Sequence, residues 1–178
     1  MEVVPRSESK FSLSTSLLTV SSCLASARLG LFDCLATSGS ILFFSVNYWR
    51  RPVYGWRRNS DIVNTVTCLI YQLSICHVVE PRVLYVYLFF TALGLGSFVV
   101  GRSLPGMRGT VAHSGVHVFG NIANMILYPG LVKARGLEPP PIDRAEIVLT
   151  ILVWAAVFDV VFIGGWPPKW WPPVDENI

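Results

Sequence analysis

The stretch that decides the fold is VLYVYLFFTALGLGSFVVG, residues 83–101: nineteen consecutive residues without a single Asp, Glu, Lys or Arg. A helix crossing a bilayer needs roughly 20 predominantly apolar residues, about 17 to 25 in practice. Val83–Gly101 meets that requirement, and it has company on both sides. Leu31–Trp49, Ile62–Val79, Val111–Val132 and Glu146–Trp166 read as further spans. Ser-rich Phe11–Ala27 is a weaker sixth.

Composition agrees with this reading. The chain has 178 residues, 52% hydrophobic and only 14% charged, whereas soluble domains carry about 25% charged residues. The expected fold is therefore all-α: a polytopic transmembrane bundle of six helices, or five if the first is cleaved. Residues 1–10 form a tail, 11–166 one helical domain, and 167–178 a Pro/Trp-rich tail whose paired prolines cannot be helical.

Phe11–Ala27 admits two readings. It is either a membrane helix whose serines bond back to their own carbonyls, or a signal peptide, with Arg6 and Lys10 before Leu17-Leu18 and Ala25-Ser26-Ala27 resembling a cleavage site. The helix is preferred because only Arg28-Leu29-Gly30 separates it from the next span. With six helices, Arg6, Lys10, Arg50, Arg51, Arg57, Arg58, Arg102, Arg108 and Lys169 share the side of the termini. Arg28, Arg82, Lys133, Arg135 and Arg144 lie opposite. The excess of positive charge puts the termini in the cytosol or its organelle equivalent.

A net charge of +3 in short arginine clusters suits topology and lipid headgroups and argues against nucleic acid. The four cysteines lack CxxC spacing, so neither a disulfide framework nor a zinc knuckle is expected. Ala92 and Gly96, four apart, suggest a close helix contact.

Polar residues inside apolar spans carry the chemistry. His113, His117, Asn121, Asn124 and Tyr128 recur at helical spacing and form one face. Asp61, Asn64, Thr65, Cys68, Gln72 and Cys76 form a second stripe. The two faces are expected to look at each other, because polar groups turned toward lipid go unsatisfied. Topology also places Ser45, Asp61, His113 and His117 near the inner ends of their helices. Asp159 lies about seven residues from its helix's inner end, roughly 10 Å deep at ~1.5 Å per residue. His77, Asp33, Glu80 and Glu146 fall toward outer ends and are assigned no chemistry. Two histidines at i and i+4 with a carboxylate can hold zinc, through His113, His117 and Asp159. The same groups also suit a hydrogen-bonded network that locks the bundle.

The set Ser45, Asp61, His113 and His117 resembles the CREST membrane hydrolases, which include alkaline ceramidases and adiponectin-receptor-like proteins. That superfamily pairs a Ser and a His four apart late in one helix, an Asp early in the next, and HxxxH in the last of seven helices. The resemblance implies zinc on His113 and His117, Asp61 holding or activating its water, Ser45 supporting the site, and hydrolysis of a lipid amide. The position four after Ser45 is Trp49, so the family's third His is absent and Asp159 is the candidate replacement. The primary expectation is accordingly a small membrane protein of structural or accessory type. Its expected partners are membrane lipids and either a membrane-protein partner or a second copy of itself. A zinc-dependent lipid-amide hydrolase and a proton-coupled transporter are the alternatives.

Overall fold

The computed structural model describes residues 6–138, with side chains from Ser9 onward. Six α-helices fill that range: α1 (Arg6–Ser16), α2 (Thr19–Arg28), α3 (Phe32–Trp49), α4 (Trp56–Ile75), α5 (Pro81–Ser103) and α6 (Gly106–Ala134). A short 3-10 turn at Cys76–Val78 follows α4. No strand occurs among the described residues, so the class is all-α. The expected span Glu146–Trp166, with Asp159, and the tail 167–178 lie outside the described residues.

The weak first span is two helices joined at Leu17-Leu18. Thr15 and Ser16 each turn their hydroxyl back onto the Ser12 carbonyl, at 3.1 and 2.8 Å. Back-bonding of this kind bends helices. The next links shorten to the i to i+3 type, Leu18 N–H to Thr15 O at 3.1 Å and Val20 N–H to Leu17 O at 3.0 Å. The same serine chemistry recurs at Ser26, which donates to the Ser22 carbonyl at 2.7 Å.

Pairings between helices give the directions. Along α3 and α4, Ser45 meets Asp61 and, further back, Ser40 meets Cys68, so the two are antiparallel. Helices α5 and α6 form an antiparallel hairpin through Leu104-Pro105-Gly106, with Gly106 at φ +60°, a left-handed conformation that other residues adopt at a cost. Ser12 meets Ser114 and Ser16 meets His117, so the α1–α2 segment runs parallel to α6. Both begin at the end of the bundle that holds the turns after α3 and α5.

The α5–α6 contact is a close backbone approach. A Cβ added at Gly101 would sit 2.8 Å from the His113 backbone nitrogen, and one at Gly115 would sit 2.5 Å from Ser97 Oγ. The small pair expected at this contact, Ala92 and Gly96, is not used: both are exposed, and a Cβ at Gly96 would meet nothing within 4 Å. The helix is rotated so that Gly94, Ser97 and Gly101 face α6 instead. Near the other end Leu31, Cys34, Tyr87, Leu127, Tyr128 and Leu131 form an apolar cluster, each fully buried.

Besides that apolar cluster the interior holds a row of hydroxyls, and many large apolar side chains face outward. Ser12, Ser16, Ser22, Ser26 and Ser38 have no accessible surface, while Phe32 is 73% exposed and Tyr85 71%. Helix α5 is the one described helix long and apolar enough by itself to cross a membrane, with a mean hydropathy of 2.1 and only 11% of that window buried. A core helix of a soluble protein would be mostly buried. The remaining helices carry the polar residues that line the interior.

Candidate polar seam and interior cavity

Serines on α1–α2 and larger polar residues on α6 build one seam. Buried Ser9, Ser12, Ser16, Thr19, Ser22 and Ser26 recur every three or four residues, which puts them on one face. Against them lie Ser114, His117, Asn121 and Asn124. Ser12 and Ser114 hydroxyls are 3.4 Å apart. Ser22 donates to Asn121 Oδ1, Asn121 Nδ2 donates to Ser21 Oγ at 2.7 Å, and Asn124 Nδ2 donates to Ser22 Oγ at 3.3 Å. Small serines let the helices approach, and the longer His and Asn side chains reach across. The donors and acceptors therefore satisfy one another away from solvent.

Ser16 Oγ lies 3.2 Å from His117 Nε2, a spacing that also suits a nucleophile and its base. The proton of Ser16 is already committed to the Ser12 carbonyl at 2.8 Å. His117 Nε2–H is therefore the donor and Ser16 the acceptor, which is the opposite of an activated serine. This pair joins two helices.

The α6 stripe and the α4 stripe are expected to look at each other, and they do so across a gap. Helix α4 packs on α3, and a cavity of about 540 Å³ lies between the two stripes. Among the described residues it is lined by Asp61, Thr65 and Gln72 from α4, and by His113, His117 and Asn124 from α6. Ser45 and Trp49 of α3 and Phe98 and Arg102 of α5 also line it. The physical reason is that the serines of α1–α2 have already taken the hydrogen bonds of α6. Size and mixed lining match a small-molecule or lipid site, for which 300–1,000 Å³ is usual.

The residues singled out from sequence meet on this cavity in two separate groups. Ser45 donates to Asp61 Oδ1 at 2.7 Å. His113 is held among rings, with centroids 5.1 Å from Trp49, 5.9 Å from Phe98 and 5.9 Å from His117. Trp49, standing where the CREST pattern has a His, thus packs on a histidine. Its indole N–H and the Gln72 amide nitrogen are buried without a hydrogen-bond partner among the described residues. No three His, Cys, Asp or Glu side chains among the described residues lie close enough to share a metal ion. Among the described residues the donor set does not complete a zinc centre; the third candidate ligand, Asp159, lies outside them.

The opposite end holds a pair that sequence reasoning left without a role. Arg135 grips Asp33 with both terminal nitrogens, at 3.0 and 2.7 Å, and Tyr71 donates to the same carboxylate. The Asp33 carboxylate holds the Arg135 guanidinium above its ordinary pKa. Lys133 and Glu80 add an exposed contact at 3.7 Å. No family model, curated protein or solved structure matches the chain.

Proposed function

We propose that the chain is a multi-pass integral membrane protein of structural or accessory type, with a serine-histidine-asparagine seam as its internal fastening. The observation that carries this reading is the pairing of buried hydroxyls inside with Phe32, Phe43, Ile70, Tyr85 and Val99 at 62–73% exposure outside. Polar groups satisfied in the interior and apolar side chains turned outward suit hydrocarbon as the surrounding solvent. The alternating helix directions support it, since each short turn returns the chain to the opposite end of the bundle. Arg50, Arg51, Arg57, Arg58, Arg102 and Arg108 then cluster at one end, the cytosolic one by charge asymmetry. The serine seam supports a retained first segment, because α6 would otherwise lose the acceptors of His117 and Asn121. Alkaline carbonate treatment of membranes tests the reading: the chain stays with the lipid pellet, and its release into the supernatant would contradict it.

A second reading is favoured by one observation, the shared lining of a single cavity by Ser45, Asp61, His113 and His117. It is a lipid hydrolase resembling the CREST enzymes. The donor set described above does not complete a zinc site, so no catalytic step is assigned to these residues. Stoichiometric zinc in the purified full chain is the measurement that would favour it.

A further inference from the structure

We propose that the interior cavity binds one anionic phospholipid, with its phosphate at the end lined by Arg58 and Arg102 and an acyl chain along the wall between α4 and α5. The proposal rests on the membrane reading above.

Charge is the first support. Among the described residues the acidic, basic and histidine side chains lining the cavity are Arg58, Arg102, Asp61, His113 and His117. Asp61 accepts from Ser45, so with neutral histidines the two guanidiniums leave one surplus positive charge. Neither arginine has an acidic partner within 4.0 Å among the described residues. Arg58 lies over the Tyr54 ring at 5.4 Å and Arg102 over the Phe98 ring at 5.7 Å. Stacking of this kind orients a guanidinium while leaving its N–H groups free for phosphate oxygens, which it binds in a fork.

A second, independent feature lies beside them. The Trp49 residue is 5% exposed, lines the same end of the cavity, and has an indole N–H without a partner among the described residues.

The wall supplies the apolar half. Ile62, Val66 and Leu69 of α4 face Leu95 and Phe98 of α5 across the cavity. From Arg58 to Leu69 is roughly 16 Å along α4 at ~1.5 Å rise per residue, room for a long acyl chain. Gln72 lies beyond this stretch and is no part of the headgroup site.

The test uses the full chain purified in detergent, with native mass spectrometry after addition of dioleoyl phosphatidic acid or dioleoyl phosphatidylcholine. Expected is retention of one phosphatidic acid per chain, with at least about tenfold preference over phosphatidylcholine, the scale of one good charge-assisted contact. R58Q/R102Q removes that preference. Leu69→Trp, which narrows the wall without changing charge, lowers retention of both lipids, so an arginine variant that fails to fold does not decide the matter. R57Q serves as the control, because Arg57 stacks on Trp56 and does not line the cavity. Equal retention of the two lipids, or retention indifferent to both variants, overturns the proposal. Displacement by inorganic phosphate alone also overturns it, by assigning the site to a free anion. A chain that resists carbonate extraction yet shows no lipid preference fails only here, whereas release by carbonate fails the membrane reading itself.

Discussion

His117 Nε2 and Ser16 Oγ, 101 residues apart in the chain, are hydrogen-bonded across 3.2 Å. That bond ties the first helical segment to the last described helix, and its strength is measurable. A double-mutant cycle with Ser16→Ala and His117→Leu should give a coupling of roughly 0.6 kcal/mol, with about 1.7 as the upper end for such bonds in membrane proteins. Unfolding in mixed detergent micelles reads it. Additive effects would mean the two side chains do not interact.

Helix α5 should discriminate sharply between two glycines five residues apart. Gly101→Leu forces atoms into the His113 backbone and should cost about 1–3 kcal/mol, as overpacking does. Gly96→Leu points into open space and should shift stability by less than about 0.5 kcal/mol. Thermal unfolding of the two variants in one detergent checks the contrast, and equal losses would contradict the helix rotation described above.

That contrast marks what the sequence reveals and what it conceals. Helix positions are legible: Leu31–Trp49 is expected and Phe32–Trp49 found, Val83–Gly101 is expected and Pro81–Ser103 found. Apolar runs bounded by Arg, Pro and Gly mark helix positions with little ambiguity. Rotation about the helix axis is far less legible, because α5 is apolar all round and Ala92 and Gly96 are as small as Gly94 and Ser97. The partner of the His113/His117 face was also concealed. A polar stripe announces that something polar opposes it, and the α4 carboxylate looked the stronger candidate than a row of serines. The spacing of Ser9, Ser12, Ser16, Thr19, Ser22 and Ser26 is the signal that identifies the true partner. Nothing local predicts that Asp33 meets Arg135, since the two are 102 residues apart.

The Asp33–Arg135 pair closes the other end of the bundle. Both side chains are about one-third exposed, so solvent screens the pair and its worth should stay near or below about 1 kcal/mol. Asp33→Asn should lower stability by that amount at low salt and by less at high salt. The exchange Asp33→Arg with Arg135→Asp should recover part of the loss. Denaturant titrations at two ionic strengths measure both, and no salt dependence would contradict an ion pair.

Metal content separates the structural reading from the hydrolase. Among the described residues His113 and His117 have no third His, Cys, Asp or Glu side chain close enough to share an ion, so purified chain should take up well under about one zinc ion per molecule at neutral pH. Elemental analysis without chelators reads this. About one ion per chain, lost in His113→Ala and in His117→Ala, would instead favour the hydrolase.

The account stands most directly on the alternating passage of its helices through a bilayer. Single cysteines placed at Arg57, Arg108, Arg82 and Leu137 in a background without the four native thiols can be challenged with a membrane-impermeant maleimide in sealed, oriented vesicles. Arg57→Cys and Arg108→Cys should label from the cytosolic face only, and Arg82→Cys and Leu137→Cys from the opposite face only. Labelling of all four from one face would contradict the multi-pass arrangement outright.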